Sequence, residues 1–243
     1  MLTKKKQLNR NWESTVIFFF SMFLIIIMLG VLSSCQKKEE IKLLKIGLPE
    51  EPKSLNLWLG TDSNSRKILS LIYQPLYTRD PKTLEMIPWL AKEEPVFDKE
   101  KLTYTVKLRK AKWSDGSEFT SEDVLFTKKF FFDFKIPRYY SKWKTIKKLE
   151  AIDKHTIVFH LKKPSAIFLS RVLTAPMISK KEWEQIAVEA MKAEKPLKFL
   201  QDHSIKEPLG TGPFTLFEYK KGAYLHMKKN PHFFGTGKTI ANH

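Results

Sequence analysis

The sequence predicts a mixed α/β (α+β) fold, and three stretches carry that expectation. In Tyr104-Thr105-Val106-Lys107-Leu108-Arg109 the apolar side chains recur at every second position, the mark of a half-buried strand. Ser114-Asp115-Gly116 supplies turn chemistry, because Asp can bond its own backbone two residues on and Gly accepts a positive φ without a Cβ clash. Thr120-Ser121-Glu122-Asp123 reads as a helix start: Thr120 can cap free N–H groups, while Glu122 and Asp123 lie at the positive end of the macrodipole. The central unit is therefore strand, turn and capped helix.

The other elements follow in chain order. Lys4, Lys5, Lys6 and Arg10 precede an uncharged apolar run from Val16 to Leu32, ending in Leu32-Ser33-Ser34-Cys35, which is the layout of a secretory signal. As a helix this run would span roughly 26 Å, just short of the ~30 Å hydrocarbon core, so length alone leaves an uncleaved anchor open. Cys35 is the single cysteine and follows two small residues, an arrangement that resembles a bacterial lipobox. The expectation is a lipoprotein signal peptide over residues 1–34, with the Cys35 thiol acylated as the new N-terminus. Several acyl chains there would give stable membrane attachment. Residues 35–43 read as a charged tether. Leu44, Ile46 and Leu48 alternate as a strand, residues 50–54 form a loop, and Ser65 to Tyr73 forms a helix burying Ile68, Leu69 and Ile72. From Tyr77 to about Ile167 the chain reads as mostly short strands around the central unit, among them residues 156–161. Lys180 to Lys192 is a helix with Trp183, Ile186, Ala187 and Ala190 on one face. Residues 214–219 and 224–227 form a hairpin around Lys220-Lys221-Gly222.

Composition narrows the function classes. Lys and Arg number 43 against 26 Asp and Glu, a formal net charge of +17. The basic residues come as scattered doublets without a helical stripe, which argues against nucleic acid as partner and for a solvated surface facing anionic lipid or envelope polymer. No catalytic residue is expected. Glu122 and Asp123 are adjacent on a helix, point about 100° apart and cannot act as a facing pair. Asp115 is already explained by its turn, and Trp113 can either stack on a ligand or close the core. No metal site or cofactor is expected either: none of the six histidines is paired at helical ligand spacing, and His160 lies opposite the face of Ile157, Phe159 and Leu161. Gly237-Lys238-Thr239 mimics the end of a P-loop, but the first glycine is replaced by His232. The candidate ligand-contacting residues are Thr61, Asp62, Ser63 and Asn64, in a loop between a strand and a helix. An ordinary capping role for the same residues stays open.

Several motifs agree in order and spacing with one family. Leu108-Arg109, Trp113-Ser114-Asp115-Gly116 and Thr120-x-Glu122-Asp123-Val124 join Glu51-Pro52-Lys53-Ser54-Leu55-Asn56, Leu71-Ile72-Tyr73-Gln74-Pro75-Leu76, Gly210-Thr211-Gly212-Pro213-Phe214 and Lys229-Asn230-Pro231-x-Phe233. The set resembles the family 5 bacterial extracellular solute-binding proteins, the oligopeptide- and dipeptide-binding lipoproteins of ABC importers. The resemblance implies a type II periplasmic-binding-protein-like lobe, with residues 44–77 and 168–243 beginning the larger lobe and 78–167 forming an inserted small, β-rich domain. It also implies a peptide ligand, permease subunits as partners, and an extracytoplasmic location on a lipid anchor. The second lobe of the clamp is absent from the sequence, which raises a second expectation: a non-transporting envelope lipoprotein with a structural or interaction role.

Overall fold

The computed structural model describes residues 44–235. The leader, Cys35, the tether and Gly237-Lys238-Thr239 lie outside the described residues. Among the described residues no helix is long and apolar enough to cross a membrane.

Residues 44–48 belong to no strand, a difference from the alternation of Leu44, Ile46 and Leu48. Apolar alternation specifies a face, whereas a strand also needs a neighbour for its backbone N–H and C=O groups, and among the described residues no strand pairs with this segment. The first helix, α1 (Ser63–Ile72), is set by Asp62, whose carboxylate accepts from Ser65 N at 2.9 Å. It buries Ile68, Leu69 and Ile72, as the apolar spacing requires. β1 (Tyr77–Arg79) and β2 (Met86–Pro88) pair antiparallel.

A four-stranded antiparallel sheet follows, ordered β3-β4-β6-β5, from β3 (Val96–Asp98), β4 (Thr103–Lys107), β5 (Ile146–Asp153) and β6 (Thr156–Leu161). Val106 faces Ile157 across the β4–β6 ladder, and Val106, Ile157, Phe159 and Leu161 are buried on one side. Against β5 packs α2 (Ser121–Asp133). α3 (Pro137–Trp143) begins at a proline, whose missing N–H costs nothing in a first turn. A short π-helical turn, Phe168–Val172, precedes α4 (Lys180–Lys192) and α5 (Pro196–Asp202). The chain then forms the hairpin β7 (Phe214–Lys220) and β8 (Tyr224–Lys229), with Gly222 at positive φ in its turn.

Aromatic side chains dominate the interior. Trp113, Trp143, Trp183, Phe130 and Phe131 are fully enclosed. Trp113 thus closes the core, and its burial leaves no face for a ligand. Phe130 of α2 is a hub: Trp58 stacks on it at 5.0 Å, Trp183 of α4 meets it edge-on at 5.4 Å, and Trp58 and Trp183 touch at 5.1 Å and 73°.

Candidate functional site

The Trp113-to-Val124 signature is a joint between elements. Asp123 accepts from Thr120 N at 2.9 Å, from Lys180 N at 3.0 Å and, at 3.4 Å, from Trp113 Nε1. One buried carboxylate thereby closes the N-terminal ends of both α2 and α4 and locks the tryptophan between them. Burial pushes its carboxyl above the usual range, against the pull of those donors. Glu122, next in sequence, is exposed and 3.5 Å from Lys180 Nζ, so the two acids do not act together. Asp115 accepts from Ser117 N and Oγ and from Lys181 Nζ at 2.7 Å. Burial raises its carboxyl, but the Lys181 and Ser117 donors outweigh it and hold it at about 2.

With α4 fixed, a cleft opens between its first turn, the end of α1, the loop after α5 and β7. It encloses about 540 Å³, within the ~300–1,000 Å³ that small-ligand sites take. Leu57, Ile72, Tyr73, Trp183, Ile205 and Leu216 form apolar walls, while Asn56, His203, Lys206, Glu218 and Tyr219 supply polar groups. Asn56, from the Ser54-Leu55-Asn56 motif, shapes one wall: its amide donates to the carbonyls of Leu200, Gln201 and His203 at 2.8–3.1 Å, capping the C-terminal end of α5. Its Oδ1 accepts from Trp58 N at 2.8 Å. The opposite rim is tied by Glu51, which accepts from Gly222 N and Tyr219 Oη, both at 2.8 Å; those donors hold its carboxyl below the usual range.

Behind the cleft lies Glu182. Its Oε1 accepts from Leu209 N at 2.7 Å, whereas its buried Oε2 has no partner among the described residues. Burial pushes its carboxyl up to about 7. A folded pKa above the unfolded 4.5 means that the protonated form is favoured in the fold, so the contribution is complete below pH 4.5 and is lost as pH rises through about 7. Between pH 8 and pH 6 the group should add about 1 kcal/mol. Denaturation of wild type and Glu182→Gln at both pH values checks this. The wild type should gain that stability relative to the variant at pH 6, and identical pH dependences would refute it.

The four loop residues divide into two pairs. Asp62 caps α1 and also receives the Ser65 hydroxyl, and Asn64 is buried with its amide on Glu50 O at 2.8 Å. Thr61 and Ser63 are exposed. None of the four lines the 540 Å³ cleft. Sequence reasoning missed Tyr73, Glu182, Trp183 and His203 as its neighbours. The only signal was an acid beside a tryptophan in the first turn of an amphipathic helix. Among the described residues no group of three or more His, Cys, Asp or Glu side chains is placed to hold a metal ion.

The described residues thus form a mixed α/β lobe with a partly apolar cleft at the junction of its elements. Residues 85–242 match the family described as bacterial extracellular solute-binding proteins, family 5 Middle. The chain belongs to that family, and its fold is that of part of a type II periplasmic binding protein. It is similar to the oligopeptide-binding protein AppA of Bacillus subtilis, 30% identical over 199 residues, covering 79% of this chain and 34% of AppA. Among solved structures, DppA from Helicobacter pylori in complex with the peptide STSA is 28% identical with a TM-score of 0.60, covering 76% of this chain and 38% of DppA. NikZ from Campylobacter jejuni in complex with Ni(L-His) is 28% identical with a TM-score of 0.57, covering 69% of this chain and 31% of NikZ. The chain spans about a third of the length of the curated relatives it matches.

Proposed function

We propose that this chain is the N-terminal portion of a lipid-anchored, extracytoplasmic solute-binding protein that captures oligopeptides or dipeptides and delivers them to the permease subunits of an ABC importer. The carrying observation is the family match over residues 85–242, together with relatives named as peptide-binding proteins. In this reading Cys35 bears the lipid, residues 44–77 and 168–243 begin the larger lobe, and residues 78–167 are the inserted small domain. The cleft beside Tyr73 and Trp183 is one wall of the ligand site. Thr61 and Ser63, exposed and outside that cleft, present hydroxyls to a part of the ligand that extends beyond it, and Asp62 and Asn64 hold their loop in place.

A binding site of this kind buries most of its ligand, and one lobe offers only one wall. Residues 35–243 alone should therefore bind peptides more weakly than the micromolar range, and a calorimetric titration giving micromolar or tighter affinity would refute the need for a second lobe. The anchor is tested separately. The native product extracted from membranes should be heavier by acyl chains on Cys35, and Cys35→Ser should lose them; a native product carrying unmodified Cys35 would sink that part of the proposal.

A further inference from the structure

Residues 134–149 contain Lys135, Arg138, Lys142, Lys144, Lys147 and Lys148 and no acid, and residues 154–181 contain six more lysines and arginines and again no acid. The fold brings residues 161–172 of the second stretch against the first, while its Lys154, Lys180 and Lys181 pair with Glu118, Glu122 and Asp115. Ile146 faces Leu161 at the end of the β5–β6 ladder, Lys162 N donates to Thr145 O at 2.9 Å, and α3 packs against the π-helical turn.

α3 is the ridge of this surface. Tyr139 and Trp143 point into the core, which leaves Arg138 and Lys142 on one flank and Tyr140 and Lys144 on the other, each pair four residues apart. On the first flank Arg171 arrives from the π-helical turn. Burial, then Arg171 and Arg138, press the Lys142 ammonium below its ordinary range. On the second flank Lys144 lies 4.5 Å from the Tyr140 ring, Tyr140 meets Phe132 edge-on at 5.2 Å, and Lys128 sits 5.6 Å over Phe132. Ile167, 51% exposed, adjoins Arg171, whose N–H donates to the Ile167 carbonyl. Among the described residues, Lys135, Arg138, Lys142, Lys144, Lys147, Lys162, Lys163 and Arg171 make no ion pair; Asp133 and Glu150, which border the first stretch, are held by Lys129 and Lys148.

We propose that this face docks on an anionic phospholipid bilayer, with the α3 ridge and Ile167 foremost. Cations gathered without counter-charges repel one another until an anionic surface covers them. The rings of Phe132 and Tyr140 under the lysines, and the exposed isoleucine among them, favour lipid over a purely ionic polymer. Aromatic rings and long basic side chains share the headgroup layer, where an apolar side chain can enter the acyl boundary.

Hydrogen exchange of the full chain incorporated into vesicles tests this without interference from the leader, which is present in every arm. With phosphatidylglycerol vesicles at low salt, residues 138–144 and 162–171 should exchange at least roughly fivefold more slowly than with phosphatidylcholine vesicles, the scale of one basic residue near an anionic leaflet. The difference should vanish in about 1 M salt, where the Debye length falls to about 3 Å. It should also vanish in the variant Arg138→Gln/Lys142→Gln/Lys144→Gln/Arg171→Gln. Equal exchange with both lipids would overturn the proposal, and so would protection by inorganic polyphosphate but not by phosphatidylglycerol. Because the lipid and salt comparisons use the wild type, a variant that misfolds does not shield the idea.

Discussion

Replacing Asp123 with alanine should destabilise the fold by about 3–5 kcal/mol, the range of a broken buried network. The carboxylate is the shared acceptor for the first turn of α2, the first turn of α4 and the Trp113 indole. Its removal strands two backbone N–H groups and one indole N–H where water has little access, and each buried orphan costs about 1–3 kcal/mol. The damage should spread through Thr127, whose hydroxyl donates to Asp123 O at 2.7 Å and accepts from Ile178 N at 3.2 Å. Asp123→Asn keeps one acceptor oxygen and avoids burying a charge, so it should lose less than alanine does. Chemical denaturation of the three proteins decides the matter; a loss under about 1 kcal/mol for alanine would mean that the joint is not held here.

Gly212→Ala should be comparably severe, for a steric reason. The segment Gly210-Thr211-Gly212-Pro213 lies flat on the last turn of α1: Gly212 N donates to Ile72 O at 2.9 Å, and Asn230 Nδ2 grips Gly212 O from the other side at 2.8 Å. A Cβ on Gly212 would fall on the carbonyl oxygen of Leu71, and one on Gly210 would fall on that of Ile72. Backbone cannot yield as a side chain does, so the segment must lift, at about 3 kcal/mol or more. The control is Gly222→Ala, at positive φ in the hairpin turn with open space around it, where about 1 kcal/mol is expected. Equal thermal shifts for the two variants would refute the close-approach account.

These results bear on what was legible in the chain. The helix over 180–192, the hairpin and the strand at 156–161 follow from local periodicity and turn chemistry, and the structure has them. α3 and α5 were missed because seven residues scarcely complete two turns, too few for a period to emerge. The 44–48 segment misled because alternation says nothing about a ladder partner. The family signatures were visible as patterns, but their purpose was not: Asp123 looked like an ordinary first-turn acid, and only tertiary contact shows it serving two helices. The cleft was illegible for the same reason. Asn56, Tyr73, Trp183 and His203 are far apart in sequence, and nothing local announces that a loop, two helix ends and a strand will meet.

The contact between Trp58 and Trp183 has a consequence for observation. Two indoles 5.1 Å apart and steeply inclined are placed for exciton coupling of their strong far-ultraviolet transitions, whose dichroism depends on their mutual angle. Trp183 is buried but backs one wall of the cleft, so a rearrangement of that wall that tilts its ring would change the optical activity of the pair. The pair is thus an intrinsic reporter of that wall's geometry, readable without a label.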